Sequence, residues 1–393
     1  MRKGILYSGI FVLFCGCVYS HTNSNIQNST YQITFDDSHF VEAKEIITDV
    51  EVIELDTTKE AIIPVVTKIS VHGDKIFCLS CDHNGFIKVF NLKGEYLFQI
   101  SHQGRASNEW IRLKSMYINE KGNCIILTDG ESKKVLIYTM DGKFVRSQKL
   151  GDFDYHQITY KDGHFYSLTH TFMTGYKPTK DTKYKLNIYD NDGNLESRAV
   201  PVKLNDARMM EMNNHHFYMG QDQCLLCPTL NNTVYILENG QCNPYATFNY
   251  NGKTPMITEE DIQQAISNNE WIAGKEKTFY GGMVVESPDL IIRRMGDENA
   301  KDVIYNKKNG KVVTTAFDSP ILMRHHLSTC FLYPSPHCYA DGYYYAPVQC
   351  ELLAFPSQYT DSYIPDNLKE VAERVKTGKV NNIIVRYKIK EIN

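Results

Sequence analysis

The strongest constraint on the fold is a turn pattern that recurs along the chain. In each copy, an Ile or Val followed by Tyr or Phe ends an apolar run, and a polar turn that finishes on Gly comes next. The turn glycines are Gly94, Gly142, Gly193, Gly240 and Gly310, at intervals of 47 to 51 residues and one of 70. Turns of this kind are typical of β-hairpins, because their central residues need positive φ. The intervals predict the four-stranded blades of a β-propeller.

A second set of turns lies earlier in each unit and has six members rather than five. Its members are residues 72–74, 120–122, 161–163, 220–222, 287–289 and 340–342. If strands A to D of a blade are counted from the axis outward, these turns join A to B, and the glycine turns join C to D. The sixth blade then has A and B near residues 337–348 and C at Ile383–Ile389, with no D strand after it. We expect residues 50–55 to supply that strand, because closing the ring removes an exposed sheet edge.

Composition fits this all-β, six-bladed propeller and argues against other classes. Of the 393 residues, 42% are hydrophobic and 22% are charged, as in an ordinary folded protein. The 26 Tyr and 18 Phe favour β structure. A net charge of −4 argues against a polyanion-binding surface, so we expect no nucleic-acid partner.

The N-terminus has the pattern of an export signal. Arg2 and Lys3 precede an apolar stretch at residues 5–14 that is too short to span a membrane as a helix. Gly16 and Cys17 follow, and a polar stretch comes after them. We expect an exported protein that contacts an envelope membrane through an N-terminal lipid only and faces the periplasm.

Two positions for signal cleavage are compatible with this pattern. Gly16 and Cys17 resemble the lipobox of a bacterial lipoprotein, in which the Cys is lipidated, although Phe14 stands where Leu is usual. Ordinary cleavage after Ser20 is the alternative. The predicted domains are a signal peptide at residues 1–16, a lipid-anchored flexible tether at 17–40 and a propeller at 41–393.

These features resemble a known group, the exported six-bladed β-propeller proteins, NHL-repeat-like, that are common as lipoproteins in gut Gram-negative bacteria. The resemblance covers residues 41–393. It is carried by residues 50–58, the turns at 91–94 and 140–142, and the loop at 102–110. In that loop Gly104, Glu109 and Trp110 match the group, whereas the four residues after Gly104 depart from its Gly-Pro-Gly core. The resemblance implies the fold and leaves the biochemical role open.

Two segments interrupt the β pattern with helical periodicity. One begins with a capping-box-like sequence at Thr258 and is predicted to be a helix over about 258–271. The other begins after Pro365, ends at Gly378 and is predicted to be a helix over about 366–377. We expect both helices to pack on the propeller.

The sequence holds two CxxC pairs, which are the usual starting point for a zinc site. They are Cys78 with Cys81, and Cys224 with Cys227. Both pairs lie in strand-like runs, where residues i and i+3 point to opposite faces, so we interpret them as small core residues. Motifs for a nucleophile elbow, a zinc protease, a P-loop or a dinucleotide site are lacking. We therefore predict no cofactor and no metal site.

Candidate binding residues follow from the two faces of a propeller. The B–C loops and the connections from D to the next A emerge on one face, here named the long-loop face. The A–B and C–D turns emerge on the other, the short-turn face. Long loops on a rigid scaffold usually carry function. The candidate contacts on the long-loop face are Arg105, Glu109, Trp110, Tyr176, Arg293 and Arg294.

Two functions are compatible with such a face. The favoured one is a binding or protein-interaction scaffold for an unknown envelope protein or for a carbohydrate or peptide ligand. The alternative is a propeller enzyme, a lyase or hydrolase acting on a polysaccharide, lactone or peptide, with its site at the channel mouth. Three or more His, Glu or Asp side chains that converge there would favour the enzyme.

Overall fold

The computed structural model arranges the chain as six β-sheets, each of which is one blade of a propeller. The described residues are 29–81, 85–119, 122–150, 155–169, 183–202, 216–220, 223–268, 277–296, 301–317, 335–348, 370–371, 373–374, 377 and 380–392. The sheets confirm the predicted all-β, six-bladed propeller.

The strands of each blade run in order from the axis to the rim. The N-terminal segment contributes β1 (Tyr31–Phe35), helix α1 (Ala43–Ile46) and β2 (Ile47–Glu54). Blade 1 is β3 (Lys68–His72), β4 (Lys75–Ser80), β5 (Phe86–Asn91) and β6 (Tyr96–Ile100). Blade 2 is β7 (Leu113–Asn119), β8 (Cys124–Asp129), β9 (Lys134–Thr139) and β10 (Phe144–Lys149). Blade 3 is β11 (Tyr155–Lys161), β12 (His164–Thr169), β13 (Tyr184–Tyr189) and β14 (Leu195–Pro201).

The second half of the ring repeats this order. Blade 4 is β15 (Phe217–Met219), β16 (Cys224–Leu226), β17 (Thr233–Glu238) and β18 (Gln241–Tyr250). Helix α2 (Glu259–Asn268) follows it. Blade 5 is β19 (Phe279–Glu286), β20 (Leu290–Gly296), β21 (Asp302–Asn306) and β22 (Val312–Thr315). Blade 6 is β23 (Cys338–Ala340), β24 (Tyr343–Val348) and β25 (Ile383–Ile389), with β2 as its outermost strand.

The polar turns form the hairpins that the sequence predicts. Gly94 and Gly193 have φ of +84° and +87°, which a side chain would disfavour. Asp190 caps its own turn, since its Oδ1 accepts hydrogen bonds from the backbone N–H groups of Asp192 and Asn194, 2.9 and 2.8 Å away.

Strand β2 closes the ring as predicted. It pairs antiparallel with β25, with Val52 opposite Val385 and Ile53 opposite Ile384. Ile53 is 6% exposed and packs in a cluster between blades 6 and 1. The N-terminal strand thus supplies the D strand that the last blade otherwise lacks.

The preceding segment differs from the predicted tether at 17–40. Strand β1 pairs in parallel with β18 and adds a fifth strand to blade 4, with Ile33 opposite Phe248. Ile33 and Phe35 are buried, and the Tyr31 ring packs edge to face on Tyr245. The alternation of buried and exposed side chains places this segment in the propeller. The signal peptide and the first part of the tether lie outside the described residues.

Between β1 and β2 the chain crosses the rim of blade 5. The Val41 N–H donates to the Thr314 carbonyl at 2.9 Å, and the Thr314 N–H donates to the His39 carbonyl at 3.0 Å. Asp37 accepts hydrogen bonds from Lys301 and from the Tyr250 hydroxyl. Residues 31–54, here named the N-terminal strap, therefore run along the outer edges of blades 4, 5 and 6 in turn.

One predicted helix is confirmed, and the other is described in part. α2 lies within the predicted 258–271, and Asp261 caps it by accepting a hydrogen bond from the Thr258 backbone N–H at 2.8 Å. In the second segment, 366–377, the described residues 370, 371, 373 and 374 are helical. Arg374 there pairs with Glu54 at the end of β2.

The hydrophobic core lies between adjacent blades. Three of the four CxxC cysteines, Cys78, Cys224 and Cys227, are fully buried in it, and Cys81 is half-buried. All four are free thiols. Burial raises the pKa of Cys78 and Cys227, so their thiols stay protonated at neutral pH. The interpretation of these cysteines as core residues is confirmed for the three buried ones.

Candidate binding face and central channel

The loop at 102–110 is folded around a buried tryptophan. Trp110 is fully buried, and its Nε1–H donates to the Gly85 carbonyl at 3.1 Å. Its ring packs on His102 and Tyr138, with centroids 6.1 and 6.4 Å away. The expectation that Trp110 contacts a ligand is corrected, because the indole fills the interior between blades 1 and 2.

The same loop is braced on its inner side by three polar contacts. Glu109 Oε2 accepts a hydrogen bond from the Ala106 N–H at 2.9 Å, which closes the turn. Lys134 Nζ donates to the Ala106 carbonyl at 2.7 Å. The Tyr138 hydroxyl donates to the Asn108 carbonyl at 2.7 Å. Glu109 thus positions the loop, which leaves Arg105 exposed at its tip.

The two adjacent arginines of β20 point to opposite sides of blade 5, as strand alternation predicts. Arg293 is fully buried toward blade 4, where its guanidinium donates to the Asn232 carbonyl at 2.8 Å and to the Asn231 carbonyl. It lies 4.9 Å from the Tyr280 ring centroid. Burial lowers its pKa. Arg293 therefore braces the B–C loop of blade 4 and is not exposed to a ligand.

Arg294 is likewise structural. Its Nε and terminal nitrogen donate to the two carboxylate oxygens of Asp302 at 2.8 and 2.9 Å, and both side chains are at most 3% exposed. Asp302 lies directly opposite on β21. The expectation that Arg293 and Arg294 contact a ligand is corrected, because both guanidinium groups are buried and hydrogen-bonded to groups of the protein itself. Tyr176, the remaining candidate, lies outside the described residues.

Two aromatic side chains from the innermost strands of different blades meet at the central channel. Tyr117 of β7 and Phe217 of β15 come from blades 2 and 4, and their ring centroids are 5.7 Å apart. Both are at most 2% exposed. The Tyr117 hydroxyl donates to Gln157 Oε1 at 2.7 Å, and the same oxygen accepts from the His216 N–H at 3.2 Å.

Lys68, which no motif in the sequence singles out, also lies in this channel. It is the first residue of β3, the innermost strand of blade 1, and is 7% exposed. Its Nζ lies 3.5 Å from the centroid of the Tyr117 ring. The sequence does contain one indication of this position. Polar Lys68 and Ser70 flank apolar Ile69, and this alternation places the lysine on the polar side of a strand.

Within the described residues, the protein has neither a metal-binding cluster nor a helix that could span a membrane. There, no group of three or more His, Cys, Asp and Glu side chains has the geometry to hold a metal ion. None of the helices in that part has the length and apolarity needed to cross a bilayer.

Comparison with known families identifies the chain by class. A family model described as a domain of unknown function (DUF4934) matches residues 29–388. The chain belongs to this family. Among curated proteins, none matches the chain.

Solved structures support the fold. A "Putative exported protein" of Bacteroides fragilis NCTC 9343 matches with a TM-score of 0.71 and 18% identity, over 92% of this chain and 100% of that one. A DUF4221 family member from Bacteroides vulgatus ATCC 8482 matches with a TM-score of 0.52 and 9% identity, over 88% and 98%. At these identities the likeness extends to the fold alone.

Proposed function

We propose that this chain is an exported propeller, anchored to an envelope membrane by a lipid on Cys17, that binds a partner through its long-loop face. The partner is an envelope protein or a carbohydrate or peptide ligand. The N-terminal sequence supports export, and so does the name of the B. fragilis protein of similar fold.

The observation that carries the binding role is the construction of the 102–110 loop. Buried Trp110, capping Glu109 and the donors of Lys134 and Tyr138 hold its backbone, while Arg105 is left exposed. A loop fixed before binding loses little conformational entropy when a ligand arrives. An exposed guanidinium suits carboxylate or hydroxyl acceptors on that ligand.

The position of the strap fits a tethered propeller. The first described strand, β1, lies at the rim of blade 4 and not beside the channel. A lipid tether that joins the body there holds it by its side. Both faces then stay accessible to partners.

Photo-cross-linking in cells tests the binding role. The photoreactive residue p-benzoylphenylalanine replaces Ser107 in one variant and Lys93, an exposed residue of the short-turn face, in the control. We expect a discrete cross-linked product from position 107 that is lost when Arg105→Glu is added. A product from position 93 alone would contradict the assignment of the binding face.

Anchoring is tested separately. Radiolabelled palmitate should enter the wild-type protein and be lost in Cys17→Ala. A soluble wild-type protein that begins at His21 would show that ordinary cleavage after Ser20 is correct.

A further inference from the structure

Lys68 is a buried amine without a polar partner in the described structure. Its side chain contacts the Tyr117 ring, and no described residue gives its Nζ a hydrogen bond or an ion pair. An ammonium carries three N–H donors, so the Nζ of this 7% exposed lysine has donors available for a ligand that enters the channel.

Other buried lysines of the chain do have partners. Lys88, 6% exposed, donates to the carbonyls of Glu60 and Ile62, the second at 2.9 Å. Lys134 donates to Ala106, and Lys185 donates to the Thr229 carbonyl at 3.1 Å. The fold therefore satisfies these ammonium groups with backbone oxygens and leaves Lys68 without one.

Among the residues that the structure describes, no carboxylate contributes to the electrostatics of Lys68. Burial lowers the pKa of Lys68 to about 7. Burial, Lys68 and Arg294 lower the pKa of His337 to about 3, so that imidazole is neutral. The carboxylate of Asp302 is already held by Arg294.

We propose that Lys68 is the binding group of a small-anion site in the central channel, which takes a small carboxylate or inorganic phosphate. The oxygens of such an ion would accept hydrogen bonds from the Lys68 ammonium above the Tyr117 ring, where no described residue accepts them. This site goes beyond the proposed function, because it needs neither the long-loop face nor the lipid.

Binding at this site is coupled to proton uptake. The neutral amine takes one proton from solution and becomes the ammonium that pairs with the anion. Above pH 7 the affinity should therefore fall about tenfold per pH unit, and below pH 6 this effect should disappear. The Arg105 variants should not change it.

The first test measures anion binding with the whole mature protein. Thermal unfolding is followed with added inorganic phosphate, acetate or chloride, in the wild type, Lys68→Met and the control Lys88→Met. Phosphate stabilises many proteins nonspecifically, so only the part lost in Lys68→Met counts. We expect acetate or phosphate to raise the melting temperature of the wild type and of Lys88→Met by more than it raises the melting temperature of Lys68→Met. The more effective ion identifies the ligand class.

The second test needs no variant. The rate at which methyl acetimidate modifies Lys68 is measured by mass spectrometry, with and without phosphate or acetate. We expect the bound anion to protect Lys68 at least several-fold, while the rate at an exposed residue, Lys93, is unchanged. Equal anion effects in wild type and Lys68→Met, or a Lys68 rate that neither ion changes, would overturn the proposal and leave Lys68 as a structural contact of Tyr117.

Discussion

Strands β1 and β2 belong to the same N-terminal strap, yet they meet the propeller in different ways. β2 is the fourth strand of blade 6 and pairs antiparallel with β25. β1 is a fifth strand on blade 4, which already has four, and it pairs in parallel with β18. Both bury apolar side chains, Ile53 in one and Ile33 in the other. The comparison separates a strand that closes the ring from one that reinforces a completed blade.

Truncation should give the largest difference between the two strands. A chain that starts at residue 42 keeps α1 and β2, whereas one that starts at residue 56 loses both. We expect the first to unfold cooperatively and the second to aggregate, because blade 6 then exposes the edge of β25 and the interface with blade 1 is open. Circular dichroism during heating and size-exclusion chromatography measure the difference. Equal melting of the residue-56 chain and the full-length protein would show that the closure is dispensable.

The end of β2 packs closely against Gly94, in the hairpin turn of blade 1. A Cβ added there would lie 1.9 Å from the Glu54 carbonyl oxygen, and the residue has φ of +84°. Gly73 has φ of +56° with no atom within 4 Å of an added Cβ. We expect Gly94→Ala to cost about 4 kcal/mol and Gly73→Ala only about 1 kcal/mol of unfolding free energy. Urea denaturation of both variants checks this, and similar losses would argue against the contact between β2 and blade 1.

A matched pair of isoleucine substitutions tests the strands directly. Ile53→Ala should lower the free energy of unfolding by about 2–4 kcal/mol, because β2 cannot leave without opening the ring. Ile33→Ala removes the same atoms, but β1 can detach locally, so the loss of global stability should be smaller. Denaturant titration measures both. A larger loss in Ile33→Ala would reverse the ranking of the strands.

The contact of Asp37 should give the smallest effect. Burial raises its pKa, but hydrogen bonds from Lys301 and Tyr250 outweigh burial and hold the pKa below its usual 3.8. A carboxyl group whose pKa is lower in the folded state stabilises above pH 4, and this stabilisation is lost as the pH falls below 4. At 41% exposure we expect Asp37→Asn to cost about 0.5–1 kcal/mol at pH 7. The difference from wild type should shrink progressively as the pH falls below 4, and a difference that stays constant would assign the effect to another cause.

The sequence predicted β2 and missed β1 for a physical reason. A missing D strand in blade 6 required a donor, and the alternation in residues 50–55 supplied one. Blade 4 had four strands already, so nothing required a fifth. The signal for β1 was nevertheless present, since Tyr31, Ile33 and Phe35 alternate with Gln32 and Thr34.

The candidate site was less predictable than the fold. The alternation of side chains along β20 placed Arg293 and Arg294 on opposite sides of blade 5. It could not reveal that Arg293 donates to backbone carbonyls and that Arg294 forms an ion pair with Asp302. Trp110 was expected at the surface because it lies in a long loop, and its burial depends on Gly85 and Tyr138, which are distant in sequence. Such contacts arise from the packing of neighbouring blades, which no local pattern encodes.

Hydrogen exchange of the strap, read by mass spectrometry or NMR, tests the central distinction most directly. We predict that the hydrogen-bonded amides of β2 exchange only on global unfolding, at the same rate as those of β25. The amides of β1 should exchange faster, because that strand can detach while the six-bladed ring stays closed. If β2 exchanged as fast as β1, the strap would be an accessory along its whole length, and the N-terminus would not close the propeller.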